Sequence, residues 1–235
     1  MFDDLTIFTC NYNTDILVTM LIKSLYKNMP FYDGKILIFN NSNVNSLNIN
    51  TSSVTTINNT TQSILNFDNI FSQYKIHSEW INHPHKFVSA RHCCTIDYVI
   101  KNLIKTKYML LIDSDILFKK SFLPLYQKLQ NYNTIGMVET NSIVKPHRIY
   151  PYFCFIDVDF VKNHNVNYFD PYRMRTLTTI PYDTGASFYI DMNKEKHKFL
   201  NIILDNYVEH MGSASFDFRK NPYLWLWKNK ELFNY

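Results

Sequence analysis

What this 235-residue chain lacks narrows its class first. It has only four glycines, and none follows the first predicted strand, where Thr9-Cys-Asn-Tyr-Asn13 stands. A glycine-rich phosphate loop is therefore missing from the place where nucleotide folds often carry one. Its four cysteines, Cys10, Cys93, Cys94 and Cys154, have no metal-ligand spacing. Neighbours such as Cys93 and Cys94 are poor disulfide partners for each other. All four are expected to be reduced and buried, which implies a reducing compartment. No apolar run approaches the roughly 20 residues of a membrane span. Met1-Phe-Asp-Asp-Leu-Thr6 has neither a basic segment nor an apolar core of the signal-peptide type, so a cytoplasmic location is expected. The sequons at Asn50 and Asn59 then carry little meaning. Net charge is +4 with no block of like charges, so nucleic acid is not an expected partner.

What is present is apolar. With 46% hydrophobic residues, a chain of this length can build one α/β domain with a sizeable core. Leu5–Cys10 reads as a buried strand and Lys35–Phe39 as a second, closed by Asn40-Asn41-Ser42. Between them Thr14 caps a helix over 15–27, with Ile16, Met20, Ile22 and Leu25 as its apolar set. Strand, helix, strand at this spacing predicts a parallel pair with a right-handed crossover. Residues 43–61 read as a polar loop with a short strand at 54–57. A helix is expected over 87–104, with Val88, Cys94, Tyr98 and Leu103 on one face. A strand follows at 108–112, then a helix capped by Ser121 and running to about 130, and a strand at 135–138. The last third is broken by Pro146, Pro151, Pro171, Pro181 and Pro222, and could wall a cleft for a second substrate. No linker divides the chain, so residues 1–235 are expected to form one domain.

The strand at 108–112 ends in Asp113-Ser114-Asp115. A carboxylate at the end of a buried strand is costly unless it is paired or binds a metal. Two of them one residue apart can share a hard divalent cation such as Mg²⁺ or Mn²⁺. The carboxyl edge of an α/β sheet is also where such folds bind ligands. The alternative is a strand-end turn with two solvated carboxylates. Asp157-Val158-Asp159 has the same spacing without that context, and reads as edge-strand or helix-start residues.

Taken in order, these pieces resemble the GT-A class of nucleotide-sugar glycosyltransferases, especially the large family 2 type. Leu5–Asn13 is similar to that family's first strand and nucleotide-base loop, and Asp113-Ser114-Asp115 to its Asp-x-Asp motif. Phe39-Asn-Asn-Ser42 resembles the second strand end, with Asn40 in place of the usual Asp. Ser89-Ala-Arg91-His92 looks like the Ala-Arg-Asn of many members. The resemblance implies an α/β, mostly parallel sheet flanked by helices, with donor binding in residues 1–120 and acceptor binding in an irregular 121–235. It implies nucleotide contacts from Thr9, Asn11, Tyr12, Asn40 and Ser114, with Arg91 facing the diphosphate. Asp113 and Asp115 would hold Mn²⁺ or Mg²⁺, joined by His210 of Glu209-His-Met-Gly-Ser213. Asp183 of Pro181-Tyr-Asp-Thr-Gly185 would be the general base of an inverting transfer from a UDP-linked donor to a carbohydrate acceptor; as a residue alone it could equally be an N-cap.

Two other classes compete. A sugar-phosphate nucleotidyltransferase also uses aspartates and a metal, but normally opens with a glycine-rich loop. A glycan-binding module would be rich in aromatics but usually all-β, against the helices at 15–27 and 87–104. The aromatic tail Tyr223-Leu-Trp-Leu-Trp227 with Phe233 is read as docking on the core, or as contact with sugars or a lipid-linked acceptor at a membrane surface.

Overall fold

The computed structural model describes residues 1–42, 47, 49, 52–75, 84–139, 147–176, 183–195, 197–212 and 221–234. Asn50, Pro146, Pro181, Tyr182 and Ser213 lie outside them.

The three apolar runs become neighbours. β1 (Leu5–Asn11) pairs in parallel with β2 (Lys35–Asn40) on one side and β4 (Tyr108–Asp113) on the other, and β3 (Val54–Asn58) continues the sheet beyond β2. α1 (Asp15–Asn28) and α3 (Pro84–Asn102) cover opposite faces, and a short α2 (Phe67–Gln73) precedes α3. Along β1, Leu5 and Ile7 face the α1 layer with Val18, Leu21 and Leu25, while Phe8 faces the α3 layer with Ala90, Cys93, Ile96 and Val99. β2 and β4 alternate in the same way. Strands covered on both faces have no polar side, which is why they read as unbroken apolar runs.

The second half completes a seven-stranded sheet in the order β10-β6-β9-β4-β1-β2-β3. β6 is Thr134–Gly136, β9 is Phe153–Asp157 and β10 is Phe199–Asn201. β9 runs antiparallel to both β4 and β6, while β10 is parallel to β6. All other strands of this sheet therefore point one way and β9 is reversed. Two small ribbons flank it: β5 (Ile116–Phe118) with β11 (Val208–His210), and β7 (Val138–Glu139) with β8 (Arg148–Ile149). The expected strand at 135–138 is thus two, split at Met137 between separate sheets.

Other expectations need correcting. The helix after Ser121 is only Leu123–Tyr126 (α4), followed by a 3-10 turn at Leu129–Asn131. Ser121 does accept Leu123 N–H, at 3.2 Å. The deepest residues of α3 are Ala90, Cys93, Thr95, Ile96, Val99 and Ile100; of the predicted stripe Cys94 is buried, while Val88, Tyr98 and Leu103 are half-buried. Thr14 precedes α1 but caps no helical N–H with its side chain. β9 is interior, and Asp157 at its end caps α5 (Val158–Asn163) by accepting Phe160 N–H at 3.0 Å. That confirms the helix-start reading of the second Asp-x-Asp. The four cysteines are free; Cys10 is only partly buried.

After α6 (Pro171–Thr176) and α7 (Ala186–Lys194), the chain ends in α8 (Pro222–Lys228). Leu226 and Phe233 pack on Leu17 of α1 and Leu117 of β5. The tail thus docks on the core through one face.

One buried carboxylate holds the segment before α6 to α3. Asp97 accepts Tyr168 N–H at 2.8 Å and Phe169 N–H at 2.9 Å, and burial raises its pKa to about 6. A raised folded-state value means that the protonated form favours the fold. The contribution is full below the unfolded value near 3.9 and lost as pH rises through about 6. Relative to Asp97→Asn, the wild type should gain about 1 kcal/mol in stability between pH 7 and pH 5, read by urea denaturation at both pH values.

Candidate active site

The site begins where β4 stops. Asp113 closes that strand, Ser114-Asp115 turns, and β5 leads away with all three residues buried. α1 grips β5 on both backbone groups: Ser24 Oγ accepts Phe118 N–H at 2.9 Å, and Asn28 Nδ2 donates to Phe118 C=O at 2.9 Å. β11 then pairs antiparallel with β5, setting His210 opposite Ile116, and Met211 N–H donates to Asp115 C=O at 3.0 Å. That register brings His210 Nε2 to 3.2 Å from Asp115 Oδ1. The Tyr152 ring stacks on the imidazole at 4.1 Å and 18° and fixes its plane.

One potential ligand atom each from Asp113, Asp115 and His210 lies within 4.8 Å of the others. That is slightly wider than the roughly 4.2 Å across an octahedral Mg²⁺ with bonds of about 2.1 Å. Two oxygens and an imidazole nitrogen suit Mn²⁺ well. Burial pushes the Asp113 carboxyl up; His92 and His210 oppose the shift, while Asp115 and Asp183 add to it. A bound cation would relieve that strain directly, so the donor set fits one.

His92, on α3, was not among the residues expected to act. Its Nε2 lies 3.8 Å from Asp113 Oδ1. Arg91, one position earlier, lies with its guanidinium 5.4 Å from the Phe67 ring centroid, at the start of α2. The helix turns about 100° per residue, so these neighbours face different surroundings.

The residues expected on the nucleotide side form a bonded lattice. Asn11 Nδ2 donates to Asp15 Oδ1, Asn40 Oδ1 and Ser42 Oγ at 2.6, 3.0 and 3.0 Å. Asn11 Oδ1 accepts Thr14 N–H at 3.1 Å, and Asn40 Nδ2 donates to Asn58 Oδ1 at 3.0 Å. Thr14 Oγ1 lies 2.8 Å from Ser114 Oγ, tying this lattice to the acidic turn. Thr9, Asn11 and Asn40 are fully buried. Their side chains shape the ends of β1 and β2 rather than project from them. Tyr12 is half-buried, and Asn13 beside it has a left-handed backbone at φ 56.

Asp183 is set by a glycine. Gly185, at φ 94, precedes α7, and a Cβ there would come within 2.0 Å of Ile149 C=O. Only glycine allows that approach, which lays Asp183 beside β8. Asp183 Oδ1 accepts Ser89 Oγ–H at 2.9 Å and Thr184 N–H at 2.7 Å. Oδ2 pairs with Arg148, which also pairs with Glu139 across the β7–β8 ribbon. The carboxylate remains 45% exposed. Arg148 lies over the Tyr150 ring at 4.8 Å, and Tyr150 and Tyr152 rings are 5.1 Å apart. The alternate residues 148, 150 and 152 so form one wall from Asp183 to His210. Sequence reasoning missed this wall, although their period of two was there to be read.

No family model and no curated protein matches this sequence. Solved structures do match in fold. The galactosyltransferase LgtC, solved with donor and acceptor sugar analogues, superposes with a TM-score of 0.55 at 11% identity, covering 85% of this chain and 73% of that one. Core-mannan synthase A (Ktr4) of Aspergillus fumigatus, in a Mn/GDP form, gives 0.52 at 9% identity over 94% of this chain and 82% of its own. The mannosyltransferase Ktr4p of S. cerevisiae, with GDP, gives 0.53 at 10% identity, covering 94% and 76%.

If the acidic pair and His210 form one cation site, Mn²⁺ should raise the melting temperature of the wild type. Asp115→Asn should weaken Mn²⁺ binding by more than tenfold in a calorimetric titration; an unchanged affinity would remove Asp115 from the site. On topology and superposition, the chain has the GT-A fold of nucleotide-sugar glycosyltransferases.

Proposed function

We propose that the chain is a glycosyltransferase that moves a sugar from a nucleoside-diphosphate donor, UDP-linked in the first instance, to a hydroxyl of a carbohydrate acceptor. The observation that carries the reading is the Asp113–Asp115–His210 group at the carboxyl edge of a GT-A sheet. The similarity to enzymes solved with sugar analogues and with GDP supports it.

Asp113, Asp115 and His210 would hold the cation, with the imidazole favouring Mn²⁺ over Mg²⁺. When bound, it supplies positive charge against the diphosphate oxygens as the nucleoside diphosphate departs. The nucleoside lies over the ends of β1 and β2, beside Tyr12, where Ser42 of the Asn11–Asn40 lattice accepts Asn13 N–H at 2.8 Å. Residues 1–120 carry these donor contacts, and 121–235 contribute the acceptor wall through Arg148, Tyr150 and Asp183.

In an inverting transfer, Asp183 takes the proton of the attacking hydroxyl. Oδ1 already accepts two hydrogen bonds, while Oδ2, paired with Arg148, keeps a second lone pair for the acceptor hydroxyl. Asp183→Asn should then lower kcat by about a hundredfold or more with little change in donor KM. Loss of under threefold would exclude Asp183 as base.

Among the described residues, no helix is long and apolar enough to cross a membrane. The outer face of α8 nonetheless presents Tyr223, Leu224 and Trp227 at 69%, 50% and 65% exposure, beside exposed Lys228 and Lys230. Aromatics next to lysines suit an anionic bilayer surface, where a lipid-linked acceptor would be presented. Trp227→Ser with Tyr223→Ser should abolish sedimentation with phosphatidylglycerol vesicles.

The reading as a whole is tested by product formation from UDP-, GDP- and dTDP-sugars with Mn²⁺. Turnover that chelation abolishes and Asp115→Ala eliminates is expected. Full metal-dependent activity in Asp115→Ala would overturn the site, and release of pyrophosphate would indicate nucleotidyl transfer instead.

A further inference from the structure

One face of α3 touches three parts of the cleft. Ser89 Oγ donates to Asp183 Oδ1 at 2.9 Å. His92 stands 3.8 Å from Asp113 Oδ1. Thr95 Oγ1 accepts Asn41 Nδ2–H at 3.2 Å, at the end of β2. Residues three apart are neighbours on a helix face, so one stripe spans the acceptor end, the acidic turn and the nucleoside end. The two outer members are spent in bonds to the protein. The middle one, among the described residues, makes no hydrogen bond: it stands at ion-pair range from Asp113, 3.8 Å, beyond hydrogen-bonding distance. Its imidazole is half-buried and faces the acidic turn from the helix side. His210 approaches Asp115 of the same turn from the β11 side.

We propose that His92 binds the donor diphosphate, its Nε2–H donating to an oxygen of the phosphate bonded to the sugar. The proposal rests on the glycosyltransferase reading. The donor diphosphate must meet the cation held at Asp113 and Asp115, and His92 is the side chain with an N–H to donate beside Asp113 on the helix side. An N–H on Nε2 is enough, so the contact does not depend on a charged ring. The Arg91 guanidinium lies over Phe67, and His92 is the member of the same short motif that stands beside Asp113. A bond to the departing phosphate strengthens as negative charge gathers there.

The test is calorimetric titration of UDP, GDP and UMP, each with Mn²⁺ present, into wild type, His92→Ala and His92→Gln. Mn²⁺ is also titrated alone, and melting temperatures verify folding. We expect His92→Ala to weaken UDP or GDP by about tenfold and UMP by much less. Gln, which restores an N–H donor of similar reach, should recover part of the loss, and Mn²⁺ alone should bind all three proteins alike. Two results overturn the proposal: equal diphosphate affinity in all three proteins, or a loss of Mn²⁺ affinity in His92→Ala as large as the nucleotide loss, which would make His92 part of the cation site. A wild type that binds neither UDP nor GDP overturns the glycosyltransferase reading itself, a result distinct from a wild type that binds while His92→Ala binds equally well.

Discussion

Crowded negative charge at the end of a buried strand is the constraint around which this molecule is arranged. Asp113 and Asp115 follow five apolar residues of β4, and Asp115 is itself buried. Two carboxylates that close in a poorly solvated place cannot both stay ionised without compensation. The fold brings that compensation from two elements with no other reason to meet. β11 delivers one imidazole through its pairing with β5, and α3 delivers another through the turn of a helix. Tyr152 then removes the rotational freedom of the first. The sheet supplies the acidic pair cheaply, and the surrounding elements make it usable.

The proposed acceptor side obeys a related rule. Arg148 answers two carboxylates, Glu139 and Asp183, and lies on Tyr150 as well. Because Tyr150 and Tyr152 continue that wall to His210, the base candidate and the candidate cation site share one boundary. The asparagine lattice plays the same part for the nucleoside side, joined to the acidic turn through Thr14 and Ser114. Several of these contacts start from strand residues: Asn11 and Asn40 end β1 and β2, and Glu139 and Arg148 pair across β7 and β8. They join loops to strand ends, where a ligand can reach them.

That division explains what was legible in the sequence. The strands β1, β2 and β4 were clear because both faces are covered, leaving apolar runs with no competing reading. Asp113 and Asp115 stood out because a buried strand led into them, which Asp157 and Asp159 only partly share. His92 belongs to the same short motif as Arg91, and its place beside Asp113 depends on helix phase, set by packing at Cys93 and Ile96. The phase was misjudged because a helix buried on so much of its surface has no sharp apolar stripe. Arg148 was invisible because its partners lie on separate segments. The helix after Ser121 ended early where the chain tightens into a 3-10 turn, a tertiary choice that local propensity does not encode. Asn11 and Asn40 were recognised as belonging to the site region, but their burial inside a lattice follows only from the meeting of two strand ends.

The pairing of β5 with β11 also orders events in time. β5 follows β4 directly, while its partner lies in the last part of the chain. During synthesis the acidic turn therefore emerges long before the imidazole that completes it, and Ile116–Phe118 waits with an unpaired, apolar edge. Such edges recruit other strands, and contacts between distant segments form slowly. α1, which is made earlier, already grips the Phe118 backbone from the other side through Ser24 and Asn28. In the folded chain that grip takes the Phe118 backbone from the side away from β11, so the short ribbon is held from both edges.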